Sequence, residues 1–192
     1  MNNNEKVKKI VAIGILSAIV VVLQIIGNYF QFIASLNLAL IPVAVAGIVI
    51  GPFGGLIVGM IDGIITIFSP STLEIFFSVN PFGTIFTCVI KMSLAGLISG
   101  LVFKAFKGKH KTLSSILSSI IVPLTNTIIF SLCSLIFFVP VLDNFINEEY
   151  TNIYAVLIFV LIGWNFLIEF SISAILSPVV VRLTEYSLRK KK

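Results

Sequence analysis

The sequence predicts an all-α integral membrane protein, a six-transmembrane-helix bundle with both termini cytoplasmic, and three observations carry that prediction. Of 192 residues, 58% are hydrophobic and 11% charged, with a mean hydropathy of +1.13 and 17 Phe. That leaves too little polar surface for a water-soluble domain of this length. The apolar residues fall into six runs, at about 10–27, 39–50, 53–68, 81–104, 112–139 and 152–181, which read as a single membrane domain over 1–192. The basic residues are segregated: Lys6, Lys8 and Lys9 lead the chain, Lys104, Lys107, Lys109 and Lys111 follow the fourth run, and Arg182, Arg189, Lys190, Lys191 and Lys192 follow the sixth. With six spans all of these reach one face, which the bias of Lys and Arg marks as cytoplasmic, and only Lys91 lies inside a run. The net charge of +5 therefore belongs to a membrane interface and gives no reason to expect nucleic acid.

The first run, from Ile10 to Gly27, is too long for a signal-peptide core and continues into Asn28, Tyr29 and Phe30, so a retained helix is expected. Gly14 and Ala18 are four apart on it, with Ser17 adjacent, a small-residue patch that lets another helix approach closely. Residues 28–38 mix amides with aromatics and carry no charge, which suits an outer loop at the aromatic belt or a lid. GPFGG at 51–55 reads as a tight turn, with Gly51 ending one helix and Pro52 starting the next. Gly55, Gly59 and Gly63 then repeat every four residues as a thin packing face, with Asp62 beside it. Ser, Pro and Glu74 break the pattern at 69–79, an expected outer connection.

The fourth run carries the anomaly. Asn80, Thr84, Thr87 and Lys91 follow steps of four, three and four, so they share one helix face in a segment that is otherwise lipid-compatible. The fifth contains Pro123, expected to kink the helix near Asn126. The loop at 143–150 is acidic and lacks Lys and Arg. On the sixth, Asn165 and Glu169 share a face that Ser173 extends, with Trp164 preceding them.

Counted from the cytoplasmic ends at about 1.5 Å per residue, Lys91, Asp62, Asn126, Asn165 and Glu169 all fall roughly 15 to 24 Å into the membrane. Ionisable groups at that depth are costly and are expected to face the bundle interior and pair. Glu169 is the first choice of partner for Lys91 and Asp62 the second, the whole forming a polar cavity near the midplane. A purely structural pair, a kink-satisfying Asn126 and a locally capping Asp62 are the alternatives. Tyr29, Phe30, Phe32, Phe76, Phe77 and Trp164 could stack on a flat ligand or anchor in the interface.

Several chemistries find no support. There is no phosphate-binding glycine loop followed by Lys and Ser or Thr, no His and Cys cluster for a metal, and only one histidine, His110, for any catalytic triad. Neither an enzyme nor a cofactor is expected. Cys88 and Cys133 stand apart in apolar runs and read as small buried residues.

The chain resembles the substrate-binding S components of energy-coupling factor transporters. The resemblance runs over nearly the whole length, on the small-residue first helix, IPVAVAGIVIGPFGGLIVGMIDGI at 41–64, NPFGTIFTCVIK at 80–91, PLTNTIIF at 123–130 and GWNFLIEF at 163–170. It implies a receptor that captures a vitamin or related small molecule outside and releases it inside. It also implies partners: a transmembrane coupling protein, on which the Gly14 and Ala18 face would dock, and two ATPases, which would explain the missing nucleotide site. In such proteins the ligand sits toward the outer half of the bundle, nearer Asn80, Thr84 and Thr87 than Lys91. The outer segments at 28–38, 69–79 and 140–151 would admit it, the first acting as a lid. A stand-alone ion-coupled transporter and a non-transport assembly protein are the competing readings. No particular substrate is selected by these residues.

Overall fold

The computed structural model describes residues 3–29, 37–106, 111–146 and 149–189, and they are helical apart from short connections. The helices are α1 (Asn3–Tyr29), α2 (Leu40–Val49), α3 (Pro52–Ile67), α4 (Pro81–Phe106), α5 (Lys111–Phe137), α6 (Val139–Asp143), α7 (Ile153–Ala155) and α8 (Gly163–Arg189), with π-helical segments at Thr72–Phe77 and Val156–Ile162. Three stretches are long and apolar enough to cross a bilayer alone, Glu5–Asn28, Pro81–Phe106 and Thr112–Phe137, while α2, α3 and Phe166–Ser177 are apolar but shorter.

One of the short helices forms the interior of the bundle. α2 is apolar all round and buries Leu40, Pro42 and every residue from Val43 to Ile48, as expected of a helix enclosed by others. It packs on α1, α3, α4, α5 and α8. Its Leu40, Val43, Ala44 and Ala46 join Val20 of α1, Val58 of α3, Met92 and Ala95 of α4 and Val122 of α5 in one cluster. A second cluster ties Val45 and Ile48 to Phe103 of α4 and Val180 of α8.

α2 ends where the Ile50 and Gly51 amides both donate to the Ala46 carbonyl, at 3.0 and 3.2 Å. Gly51 has φ 116° and ψ 178°, a conformation only glycine takes without strain. Pro52 then opens α3 at a position whose amide would have had no helical partner. The turn folds α3 back so that Gly55 meets Gly47.

α3 and α4 touch backbone to backbone. A Cβ on Gly55 would fall on the Gly96 carbonyl, one on Gly59 on the Met92 carbonyl, and one on Gly63 on the Cys88 carbonyl. The four-residue glycine period thus matches a four-residue ladder of carbonyls on α4, and interhelical contact of this kind replaces the hydrophobic drive that lipid removes. α1 is the opposite case. Apart from residues such as Val20, Gln24 and Gly27 it is largely exposed, with Ile10 at 68% and Val7 at 58% exposure.

Two segments differ from the sequence reading. The connection at 69–79 contains a π-helical turn at Thr72–Phe77, stabilised where the Ser69 hydroxyl donates to Thr72 Oγ1 at 2.7 Å. The last helix, expected as one piece from about 152, is capped by Asn152, whose Oδ1 accepts from the Ala155 amide at 2.9 Å, and then widens into the π-helical Val156–Ile162 before α8. Pro123 lies within a helix that stays continuous from Lys111 to Phe137.

Candidate functional site

The α3–α4 contact fixes two charged residues. Asp62 precedes Gly63 on α3 and is fully buried, and Lys91 precedes Met92 on α4. Because the glycine face brings the two backbones together, both project from one rigid unit rather than from independently mobile helices.

Asp62 is held from α1. Gln24 Nε2 donates to Asp62 Oδ1 at 2.6 Å and lies 3.1 Å from Thr66 Oγ1 and 3.3 Å from Asn37 Oδ1. Thr66 itself donates to the Asp62 carbonyl at 2.9 Å, and Asn37 Oδ1 accepts the Ala39 amide at 3.1 Å, capping the approach to α2. One amide therefore ties α1 to α3 and to the start of α2. Asp62 Oδ2 has no hydrogen-bond partner.

Above this network lies a cavity of about 340 Å³, within the range of about 300–1,000 Å³ typical of small-molecule sites. Its polar lining comes from Gln24 and Asn28 of α1, Asn37, Thr66 of α3, Ser69, Ser71 and Thr72, Lys91 of α4, Asn126 and Thr127 of α5, and Glu169 of α8. Ile75, Phe76, Phe130, Val160, Ile162 and Phe166 supply the apolar part. A second chamber of about 50 Å³ adjoins it and shares Thr72, Phe76, Lys91 and Phe130, adding Thr84, Thr87, Cys88 and Phe138. The rings form an edge-to-face group, with Phe76 5.7 Å from Phe130 and 5.0 Å from Phe138, a favourable arrangement worth about 0.5–1.5 kcal/mol per pair.

Lys91 is the hinge of both chambers. No carboxylate oxygen of Asp62 or Glu169 lies within the 4.0 Å of an ion pair. Its ammonium instead sits 5.1 Å from the centre of the Phe130 ring, a cation–π contact. Glu169 is buried across the cavity, with the Asn126 side chain and the Asn37 backbone among its polar neighbours. Asn126 is 7% exposed and its Oδ1 has no partner.

The structure thus gathers Lys91, Asn126 and Glu169 around one cavity, with Asp62 behind its wall. Thr84 and Thr87 face the smaller chamber; Thr84 Oγ1 donates to the Asn80 carbonyl at 2.8 Å, while Thr87 Oγ1 is buried without a partner. Asn80 lines neither chamber. It caps α4, its Oδ1 accepting from the Gly83 amide at 2.9 Å and its Nδ2 donating to the Phe137 carbonyl at 3.4 Å. The side chains of Tyr29, Trp164 and Asn165, and residues 30–36 of the expected lid, lie outside the described residues. Gly14 and Ala18 are exposed on α1, and a Cβ at Gly14 would meet nothing within 4 Å.

Gln24 is the residue the sequence reading passes over. Its signal was available: it is the one amide inside the run Ile10–Gly27, and it stands one turn before Asn28 on the same face.

Residues 8–181 match the family described as ECF transporter, substrate-specific component. The chain belongs to that family. No curated protein and no solved structure matches it. As an ECF substrate-specific component it is a multi-pass membrane protein and the substrate-binding subunit of an ECF transporter, working with components of the ECF module on a small-molecule substrate.

Proposed function

We propose that the 340 Å³ cavity is the capture site for a vitamin-like small molecule, with Lys91, Asn126 and Glu169 as its principal polar contacts. The observation that carries this reading is the convergence of ionisable and amide groups from α1, α4, α5 and α8 on one chamber inside an apolar bundle. Asn165 and Trp164, four and five residues before Glu169 in sequence, and Tyr29, next to the lining residue Asn28, complete the site in this reading. Asp62, Thr84 and Thr87 support it from behind.

In this reading the chain crosses the membrane six times with both termini in the cytoplasm, an arrangement that puts twelve Lys and Arg on one side and none on the other. α2 and α3 are shorter than a bilayer is thick, at about 15 and 24 Å by rise per residue, and cross it together with the connections that flank them. The exposed face of α1 around Gly14 and Ala18 docks on the transmembrane coupling protein, and two ATPase subunits supply the energy for release inside.

Gentle purification followed by mass spectrometry of retained small molecules tests the reading. A bound molecule and a co-purifying coupling protein are expected. Lys91→Ala weakens retention or stability, and Lys109→Ala changes neither. A preparation that holds no ligand and associates with no coupling protein refutes the receptor role, and ligand uptake without the module favours a stand-alone transporter.

A further inference from the structure

We propose that the captured molecule is a compact organic monocarboxylate or zwitterion that also carries hydroxyl or N–H donors, its carboxylate held by Lys91 and its donors by Asn126 and Glu169. The inference rests on the capture-site reading above and adds to it the chemistry of what is captured.

Charge decides the class. Among the described residues Lys91 is the one cation lining the main cavity and Glu169 the one carboxylate. They do not meet as an ion pair, so the Lys91 ammonium keeps hydrogen-bonding capacity for a ligand, while Glu169 is in part occupied by the Asn126 side chain and the Asn37 backbone. Asp62 cannot serve Lys91 closely, because one of its oxygens is taken by Gln24 at 2.6 Å and the residue is sealed behind the wall. An ammonium in an apolar bundle is best satisfied by an anion, and a carboxylate forms a short charge-assisted hydrogen bond with it. A phosphate ester fits badly, since a dianion would face a single cation with Glu169 repelling it across the chamber.

The remaining groups define the other end of the molecule. Asn126 and Glu169 both line the cavity, and the Asn126 side chain is hydrogen-bonded to Glu169. An amide and a carboxyl group side by side suit O–H or N–H groups on the ligand. Phe76, Phe130 and Phe166 supply apolar wall suited to one ring or a short aliphatic chain, and a volume of about 340 Å³ is at the small end of ligand sites.

The test uses the full-length protein in nanodiscs and, as probe, an ultrafiltered small-molecule extract of the producing cells in three portions. One is untreated, one has its free carboxylates converted to N-methylamides with carbodiimide and excess methylamine, and one is treated with phosphatase. Mass spectrometry reads what each portion leaves on the protein. Retention from the untreated and phosphatase-treated portions is expected, with a drop of about tenfold or more from the amidated portion, the size of effect that follows loss of a hydrogen bond to a charged group. Lys91→Gln should lose retention to a similar degree and Lys91→Arg should keep most of it. Equal retention from untreated and amidated portions overturns the proposal, as does undiminished retention by a folded Lys91→Gln. Loss confined to the phosphatase-treated portion overturns it in favour of a phosphate ester. If Lys91→Gln does not fold, the comparison of portions on the unaltered protein decides alone. Retention of nothing from any portion overturns the capture-site reading itself, which separates that failure from an error in the ligand class.

Discussion

Replacing Gly59 by Ala tests whether α3 and α4 meet backbone to backbone. A Cβ at this position would collide with the Met92 carbonyl oxygen and stand 2.8 Å from the Met92 carbonyl carbon and 3.2 Å from Ser93 Cα. The carbon contact is about 0.6 Å short of ordinary van der Waals approach, and none of these atoms is the free end of a flexible side chain, so α3 has to move as a whole. Overpacking of this kind costs about 1–3 kcal/mol. Alanine's higher helix propensity returns about 1 kcal/mol. With a rigid neighbour the upper part of the first range applies, so a net loss of about 1–2 kcal/mol is expected. Gly14→Ala is the internal control, because its Cβ meets nothing within 4 Å and only the propensity gain remains. Unfolding in mixed micelles with increasing SDS, followed by helical circular dichroism, measures both. Equal stability of Gly59→Ala and Gly14→Ala would refute the glycine-to-carbonyl packing and, with it, the placement of Asp62 and Lys91 on one rigid unit.

Other expectations use the same assay or a simple labelling. Gln24→Leu leaves Asp62 buried without its hydrogen bond, a loss of about 1–3 kcal/mol, and the Gln24→Leu, Asp62→Leu double variant should recover most of it; additive losses would show that the two residues do not interact. Gly51→Ala places a side chain at φ 116° and should cost about 1–3 kcal/mol, with unchanged stability counting against the turn geometry. Asn80→Ala removes the α4 cap, a loss of about 0.5–2 kcal/mol, yet should leave ligand retention intact; abolished retention at unchanged stability would make Asn80 a ligand contact instead. In membrane vesicles of known orientation, Asn144→Cys and Lys109→Cys should react with an impermeant thiol reagent from opposite sides, and labelling from the same side would refute the six-span topology.

What could be read from the chain alone depended on whether a signal was periodic. The glycines at 55, 59 and 63 announce a packing face through their spacing, and the structure puts that face against carbonyls of α4 at the same period. Gly51 and Pro52 specify a turn through conformational limits that hold in any context. The stripe Asn80, Thr84, Thr87 and Lys91 is real as a helix face, but its members divide into a cap, two residues on a small chamber and one on both chambers. Sequence spacing gives a shared face and cannot say at which height another helix closes over it. The π-helical turns at Thr72–Phe77 and Val156–Ile162 leave no period to detect, since residues such as Leu, Ile, Phe and Val suit any helix type. Gln24 stands out in the sequence as the one amide inside the run 10–27, but its partner Asp62 is 38 positions away and only the fold brings the two together.

The placement of polar groups follows from where the bundle is tight. Between α3 and α4 the backbones touch and no side chain fits, so Asp62 is displaced to the edge of that contact, where α1 crosses and Gln24 meets it. Lys91 lies at the other edge, where Phe130 of α5 leaves room for an ammonium above its ring. The cavity lies where Lys91 of α4, Asn126 and Phe130 of α5 and Glu169 of α8 line one space, and elsewhere α8 packs through Val180 on Val45 and Ile48 of α2 and Phe103 of α4. Filling the cavity with apolar side chains would satisfy the packing better and would remove the buried, unpartnered Asn126 Oδ1. A chain of this composition has leucine, isoleucine and phenylalanine to spare for that purpose, yet it places Lys, Asn and Glu there at a cost in stability. In the proposed capture site that cost would be recovered when a molecule with matching charge and donors occupies the space.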